Sequence, residues 1–151
     1  MNPCKNHKVC TNEALKNAEE ICKKKGVRLT NLRETVLRLV WKSHGYVKAY
    51  DLLEDLKKID NSAKPPTVYR SLDFLLEHGF IHKIQSLNAY VGCGHPNTHD
   101  NCYFLICNEC QSIEEHCSKN INDIVTNASE KINFLPNQIT LEISGTCKEC
   151  S

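Results

Sequence analysis

Phe80–Cys110 reads FIHKIQSLNAYVGCGHPNTHDNCYFLICNEC, and the parsing of this stretch decides the fold. It holds three of the 7 histidines (His82, His95, His99) and four of the 10 cysteines (Cys93, Cys102, Cys107, Cys110). It opens as two runs, Phe80–Gln85 and Asn88–Cys93, in which apolar and polar residues alternate across a short turn. That period of two is the signature of a β-hairpin. The stretch closes on Cys107-x-x-Cys110. Residues 1–84 carry 16 Lys/Arg against 10 Asp/Glu, and residues 85–151 carry 3 against 8. The balance therefore reverses here, and a two-part α+β chain is expected, its basic first part suited to a polyanion.

Upstream of the hairpin the chain reads as helices. Pro65-Pro66-Thr67 opens TVYRSLDFLLEHG, where Pro is tolerated because the first-turn N–H groups have no intrahelical partner. Val68, Leu72, Leu75 and Leu76 make its buried stripe, Gly79 stops it, and Thr67, Tyr69, Arg70 and Asp73 stay outward. A helix from about Lys48 to Ile59 turns Leu52, Leu53 and Leu56 inward. Before it, Thr30 is placed as N-cap of a helix carrying Leu32, Val36, Leu39 and Val40, with Gly45 as its end. From Asn12 to Lys25 the spacing of Leu15, Ala18, Ile21 and Cys22 gives an amphipathic helix stopped by Gly26. Cys22 reads as a small core residue. Residues 1–11, with Cys4, His7 and Cys10, are expected to be a mobile tail.

Helices followed by a two-stranded hairpin describe a winged helix-turn-helix over residues 12–86. An ordinary three-helix bundle is the competing reading. In the first, the 65–78 helix enters the major groove N-terminus first, offering Arg70 to guanine O6/N7 and Tyr69 to a thymine methyl or a phosphate. Lys64, just before that helix, is placed for phosphate contact.

Downstream, residues 87–101 are expected to be a hinge with metal ligands, and 102–151 a small α/β domain. Cys102–Cys107 and Ser112–Cys117 read as strands around the Cys107–Cys110 knuckle. A helix from about Lys119 to Ile132 follows, then a strand over Asn137–Ser144, then Cys147-x-x-Cys150. Four thiolates form a soft tetrahedral set that suits zinc in a closed, structural site. Two independent redox dithiols, or iron, are the alternatives. A domain this small has too little core alone, so dimerisation is expected to support it.

Composition bounds the rest. A chain of 151 residues with 40% apolar and 25% charged residues is globular. No apolar run reaches the ~20 residues of a membrane helix, and MNPCKNHKVCTNEALKN lacks a secretory core. A cytoplasmic, non-membrane protein is expected. Ten cysteines in a reducing compartment point to metal or redox chemistry. A second ligand constellation comprises His82, Cys93, His95, His99, Glu114 and Glu115. One thiolate among imidazoles and a carboxylate biases it toward zinc over iron or manganese.

RLTNLRETVLRLV, AYDLLEDLK, KPPTVYRSLDFLLEHGFIHKI and the two Cys-x-x-Cys pairs resemble the ferric uptake regulator family. KPPTVYR with LDFLLE, GF and HK resembles its zinc uptake regulator branch. The resemblance spans about residues 13–150. It implies a homodimeric winged-helix repressor that binds a palindromic DNA operator when zinc-loaded and shuts off zinc uptake genes. It further implies a regulator without a small-molecule substrate, not an enzyme, carrying two zinc ions per subunit. By similarity Cys107, Cys110, Cys147 and Cys150 are the structural site, and His82, Cys93, His99 and Glu115 the regulatory one. Tyr50 and Arg70 match positions that meet DNA. Tyr46, with His44 nearby, stands where iron and manganese members place a ligand histidine. The spacing around His99 departs from the family's, so His95 competes with it. Cys102 and Cys117 are left as buried thiols. An iron- or peroxide-responsive regulator of the same family is the nearest alternative. A Cys-x-x-Cys thiol–disulfide enzyme would need a knuckle at a helix N-terminus.

Overall fold

The structure, a computed structural model, describes residues 6–43 and 45–151, so Cys4 and His44 lie outside the described residues. It divides into two compact units, one running to Pro96 and the other Asn97–Ser151.

The first unit runs α1 (His7–Lys25), α2 (Asn31–Lys42), α3 (Ala49–Ile59), α4 (Pro65–Glu77), then β1 (Ile81–Ile84) and β2 (Ala89–Gly92). Local chemistry sets most of these ends. Gly26, at φ 67°, closes α1 in the left-handed region that glycine enters without a Cβ penalty. The Thr30 side chain accepts from Arg33 N–H at the start of α2. Two prolines occupy the first turn of α4. β1 and β2 pair antiparallel, with His82 opposite Val91. Val47 adds reciprocal backbone bonds to Tyr90, so the hairpin is stitched to the chain between α2 and α3.

One apolar cluster holds this unit: Leu15, Ala18 and Cys22 from α1, Val36, Leu37 and Val40 from α2, Leu52, Leu53 and Leu56 from α3, and Val68, Leu72 and Leu75 from α4. Leu72 and Leu75 are fully buried, each stabilising by about 1.5–3 kcal/mol relative to exposure. Cys22 is a core residue as expected, and burial pushes its thiol pKa up. Two boundaries differ from expectation. α1 begins at His7, ahead of Asn12, so part of the expected tail is helical. α2 ends at Lys42 rather than Gly45, because Ser43 is already extended at φ −76°, ψ 128°. The 87–101 segment begins inside the hairpin, since Ala89–Gly92 is β2.

The second unit begins in a 3-10 stretch, Pro96–Asn101, interrupted at Thr98. Then come β3 (Cys102–Cys107), β4 (Ile113–Cys117), α5 (Lys119–Glu130) and β5 (Glu142–Gly145). Strand order is β4-β3-β5, with β4 antiparallel and β5 parallel to β3. α5 is the crossover that a parallel pair requires. β5 is shorter than the expected 137–144 strand and pairs only over Glu142–Gly145. No residue of α5 is buried: Ile124 is 67% exposed, and beyond the helix Phe134 is 60% and Leu135 77% exposed. This unit's buried apolar side chains are Cys102, Phe104, Ile106 and Cys107, a thin core for an independent domain.

Candidate metal centre

The 36 residues between the knuckles are bridged by strand register. β3 and β5 run parallel with Cys107 opposite Gly145, so both Cys-x-x-Cys turns leave the same end of adjacent strands. Asn108 N–H donates to Gly145 O at 2.8 Å, tying the first knuckle to the segment that leads into the second. Each knuckle is a tight turn: Gln111 N–H returns to Cys107 O and Cys150 N–H to Cys147 O. Gln111, at φ 57°, takes the left-handed conformation that ends the first. Neither knuckle opens a helix, which removes the usual device for activating a redox cysteine.

The sulfurs of Cys107, Cys110, Cys147 and Cys150 all lie within 4.8 Å of one another. Cys110 and Cys147 are 3.8 Å apart. A tetrahedral zinc with bonds of about 2.3 Å needs sulfur–sulfur edges of roughly 3.8 Å, so donor type and spacing both fit that ion. Electrostatics agree. Backbone N–H groups of Cys110, Cys147 and Glu109 point at Cys107 and bring its pKa down to about 6, with Cys147 N 3.4 Å from the sulfur. The side chain and backbone of Ser112 lower that of Cys110. The Cys150 pKa is pushed up to about 12, its proton shared with the sulfurs of Cys147 and Cys110. The cluster thus favours thiolate at Cys107 and the protonated form at Cys150.

The other predicted ligands divide between the units. On the hairpin, His82 (β1) and Cys93 (after β2) are both buried, and an imidazole nitrogen lies within 4.8 Å of the Cys93 sulfur. Cys93 N–H donates to Phe80 O at 3.0 Å, extending the ladder by one pair. Gly92, just before it, lies against the Trp41 indole so closely that a Cβ there would fall 2.3 Å from Trp41 Cε2. In the second unit Glu115 is buried, His99 half-buried, and Glu114 exposed beside His116 at 3.2 Å. His95 is exposed. Among the described residues His82 is the only buried imidazole and Glu115 the only buried carboxylate. Burying ionisable groups is costly without compensation, so these two positions are set apart from the other histidines and acids.

Cys102 and Cys117 are not two separate thiols. They face one another across β3 and β4 and are joined as a disulfide. A spacing signal was present: each stands five residues from the Cys107–Ser112 pair that closes the β3–β4 turn, on opposite arms of the hairpin.

The expected DNA face is on the first unit. Tyr50, in the first turn of α3, is 70% exposed, and Tyr69 on α4 is 51% exposed. Lys64 and Arg70 are exposed and Thr67 is half-buried. No acidic residue stands in the first turn of α4, whose first two residues are prolines.

A profile described as the ferric uptake regulator family matches residues 24–144. The zinc uptake regulation protein of Escherichia coli strain K12 is 43% identical over 145 residues, 95% of this chain and 84% of that protein. Among solved structures, a zinc uptake regulator complexed with zinc and DNA superposes with a TM-score of 0.88 at 42% identity, covering 93% of this chain and 94% of that one. Holo XcZur gives a TM-score of 0.86 at 39% identity, covering 92% and 97%.

Proposed function

The chain belongs to the ferric uptake regulator family, and on that premise we propose that it is a zinc-responsive transcriptional repressor. Its zinc-loaded homodimer binds a palindromic operator in double-stranded DNA and shuts off zinc uptake genes. It acts in the cytoplasm as a regulator, with no small-molecule substrate. Each subunit takes two zinc ions. Cys107, Cys110, Cys147 and Cys150 hold the structural one, and His82, Cys93, His99 and Glu115 the regulatory one. The choice of His99 over His95 is supported by burial, since His99 is half-buried and His95 exposed.

The observation that carries this reading is the buried His82–Cys93 pair on the hairpin that follows α4. His82 and Cys93 would hold a zinc ion there, which would supply a positive charge to the hairpin. His82 and Cys93 belong to the unit that presents Tyr50, Lys64, Thr67, Tyr69 and Arg70. His99 and Glu115 belong to the unit whose open α5 face suits a second copy of the chain. Ligands drawn from both units let metal occupancy bias the spacing of two α4 helices, which must sit about 34–36 Å apart to read two half-sites. A differential affinity of about 5.5 kcal/mol between the two arrangements takes a population from 1:99 to 99:1.

The test is zinc-dependent binding to candidate palindromes, with zinc per chain and dimer size measured alongside. Cys93→Ala is expected to remain a folded dimer with one zinc per subunit and to gain no operator affinity when zinc is added. Cys107→Ser is expected to lose zinc and become monomeric or aggregated at any zinc concentration. Equal unfolding of both variants would mean one merged structural cluster and no sensor. Activation by iron(II) but not zinc would favour an iron-responsive member.

A further inference from the structure

The face of the β3–β4 ladder that carries Glu115 also carries Cys102 and Cys117, which the zinc reading leaves without a role. In an antiparallel ladder, pairs that exchange backbone hydrogen bonds alternate with pairs that do not, and side chains lie closer in the latter. Ser118 N–H donates to Asn101 O at 2.8 Å and Cys107 N–H to Ser112 O at 3.0 Å. Counting inward from those two pairs, Cys102–Cys117 and Phe104–Glu115 are non-hydrogen-bonded pairs. With a side-chain period of two, Glu115 and Cys117 share one face of β4. The Cys102 and Cys117 sulfurs each lie within 4.8 Å of a Glu115 carboxylate oxygen, that of Cys117 at 3.7 Å. The two sulfurs are bonded to one another, whereas Cys22, Cys93, Cys107, Cys110, Cys147 and Cys150 are not disulfide-bonded.

We propose that Cys102 and Cys117 are a reversible dithiol–disulfide pair that sets the zinc affinity of the site to which Glu115 belongs. The proposal rests on the regulatory-site reading above. Opened, the pair offers a thiolate beside the Glu115 carboxylate, and zinc takes a soft sulfur ligand readily. Closed, its sulfurs carry no charge and serve as no such ligand, leaving the carboxylate alone on that strand. Oxidation therefore weakens the regulatory site without removing any of its four ligands.

The oxidant is a small disulfide, RSSR. The thiolate of one cysteine attacks a sulfur of RSSR, forming a mixed disulfide and releasing RS⁻. The second thiolate attacks the protein sulfur of that mixed disulfide, closes the Cys102–Cys117 bond and expels a second RS⁻. Each leaving thiolate takes up one of the protons the cysteines gave up. The protein loses two electrons and two protons, and RSSR becomes two RSH. Excess RSH runs the sequence backwards.

The test uses the full-length protein equilibrated in reduced or in oxidised glutathione. The state of the pair is read by alkylation and mass spectrometry, and zinc affinity by competition with a chromogenic chelator. The second zinc is expected to bind at least about tenfold tighter in the reduced state, and the zinc concentration for half-maximal operator binding should move with it. Cys102→Ser with Cys117→Ser should bind that zinc with the weaker affinity in both buffers while keeping the first zinc. Equal affinities in wild-type protein whose pair is verified open and closed would overturn the proposal and leave the regulatory site standing. Redox dependence that persists in the double variant would assign the effect to other cysteines and overturn it too. Absence of a second zinc in both states would overturn the site and the proposal together. The wild-type comparison decides the matter even if the double variant fails to fold.

Discussion

Gly92→Ala tests how the wing strand is seated. A Cβ at this position would lie 2.3 Å from Trp41 Cε2, 2.6 Å from Nε1 and 2.8 Å from Cδ2, where carbon contacts are normally about 3.5–4.0 Å. Either the indole or the strand must therefore move by about 1 Å. The indole sits on α2, anchored by buried Val36, Leu37 and Val40. The strand is fixed by its pairing with β1 and by the Tyr90–Val47 bonds. Forcing one methyl into such a contact costs about 1–3 kcal/mol, and at about 4–8 °C per kcal/mol for a domain of this size the melting temperature should fall by at least about 4 °C. Trp41 is the sole tryptophan, so its fluorescence follows unfolding of the first unit directly. The mechanism has an internal check. In a Trp41→Ala background the added methyl meets space, and the same substitution should cost less than about 0.5 kcal/mol. Because Cys93 is the next residue, Gly92→Ala should also weaken binding of the second zinc. A loss under about 0.5 kcal/mol with Trp41 intact, or an equal loss in both backgrounds, would refute the packing argument.

Metal-free protein should show a stability maximum near pH 9. Cys107, lowered from 9.0 to about 6, contributes stability that is present above pH 9 and lost as pH falls toward 6. Cys150, raised from 9.0 to about 12, contributes stability present below pH 9 and lost as pH rises toward 12. Denaturation midpoints across that range after chelation measure both, and a flat profile would dismiss the N–H···S bonds as the cause. Arg70→Ala should cost roughly 1–3 kcal/mol at one base position and remove preference for operator over random duplex. Lys64→Ala should weaken both duplexes alike and reduce the salt slope by about one; an unchanged specificity ratio in Arg70→Ala would displace α4 as the reading helix. His99→Ala should abolish the zinc response while His95→Ala leaves it, as read by zinc-dependent operator binding, and the opposite result would move the third ligand by four residues.

The sequence by itself determined the elements whose signals are local. The apolar spacing on α1, α3 and α4, the Thr30 cap, the prolines opening α4 and the alternation around Asn88 each specify a helix or a strand with short-range chemistry. The expectation that four thiolates suit zinc also comes from residue type, since donor softness does not depend on where the chain goes. Boundaries drifted where the signal was weak, as at His7 and Lys42, where no glycine or proline marks the end.

Only the tertiary structure decided the pairings across distance. Parallel registration of β3 with β5 brings Cys147 to Cys107, 40 positions away in the chain, and no local pattern specifies that register. Antiparallel registration of β3 with β4 places Cys102 against Cys117 and puts Glu115 on the same face, which turned two supposed separate thiols into one bond. Burial behaves likewise. The resemblance names His82 and Glu115 among other ligands, but only packing makes them the buried imidazole and the buried carboxylate among the described residues. The exposed apolar face of α5 and the close approach of Gly92 to Trp41 belong to the same class. Each depends on which surfaces meet, a property of the folded chain's contacts rather than of any window of residues.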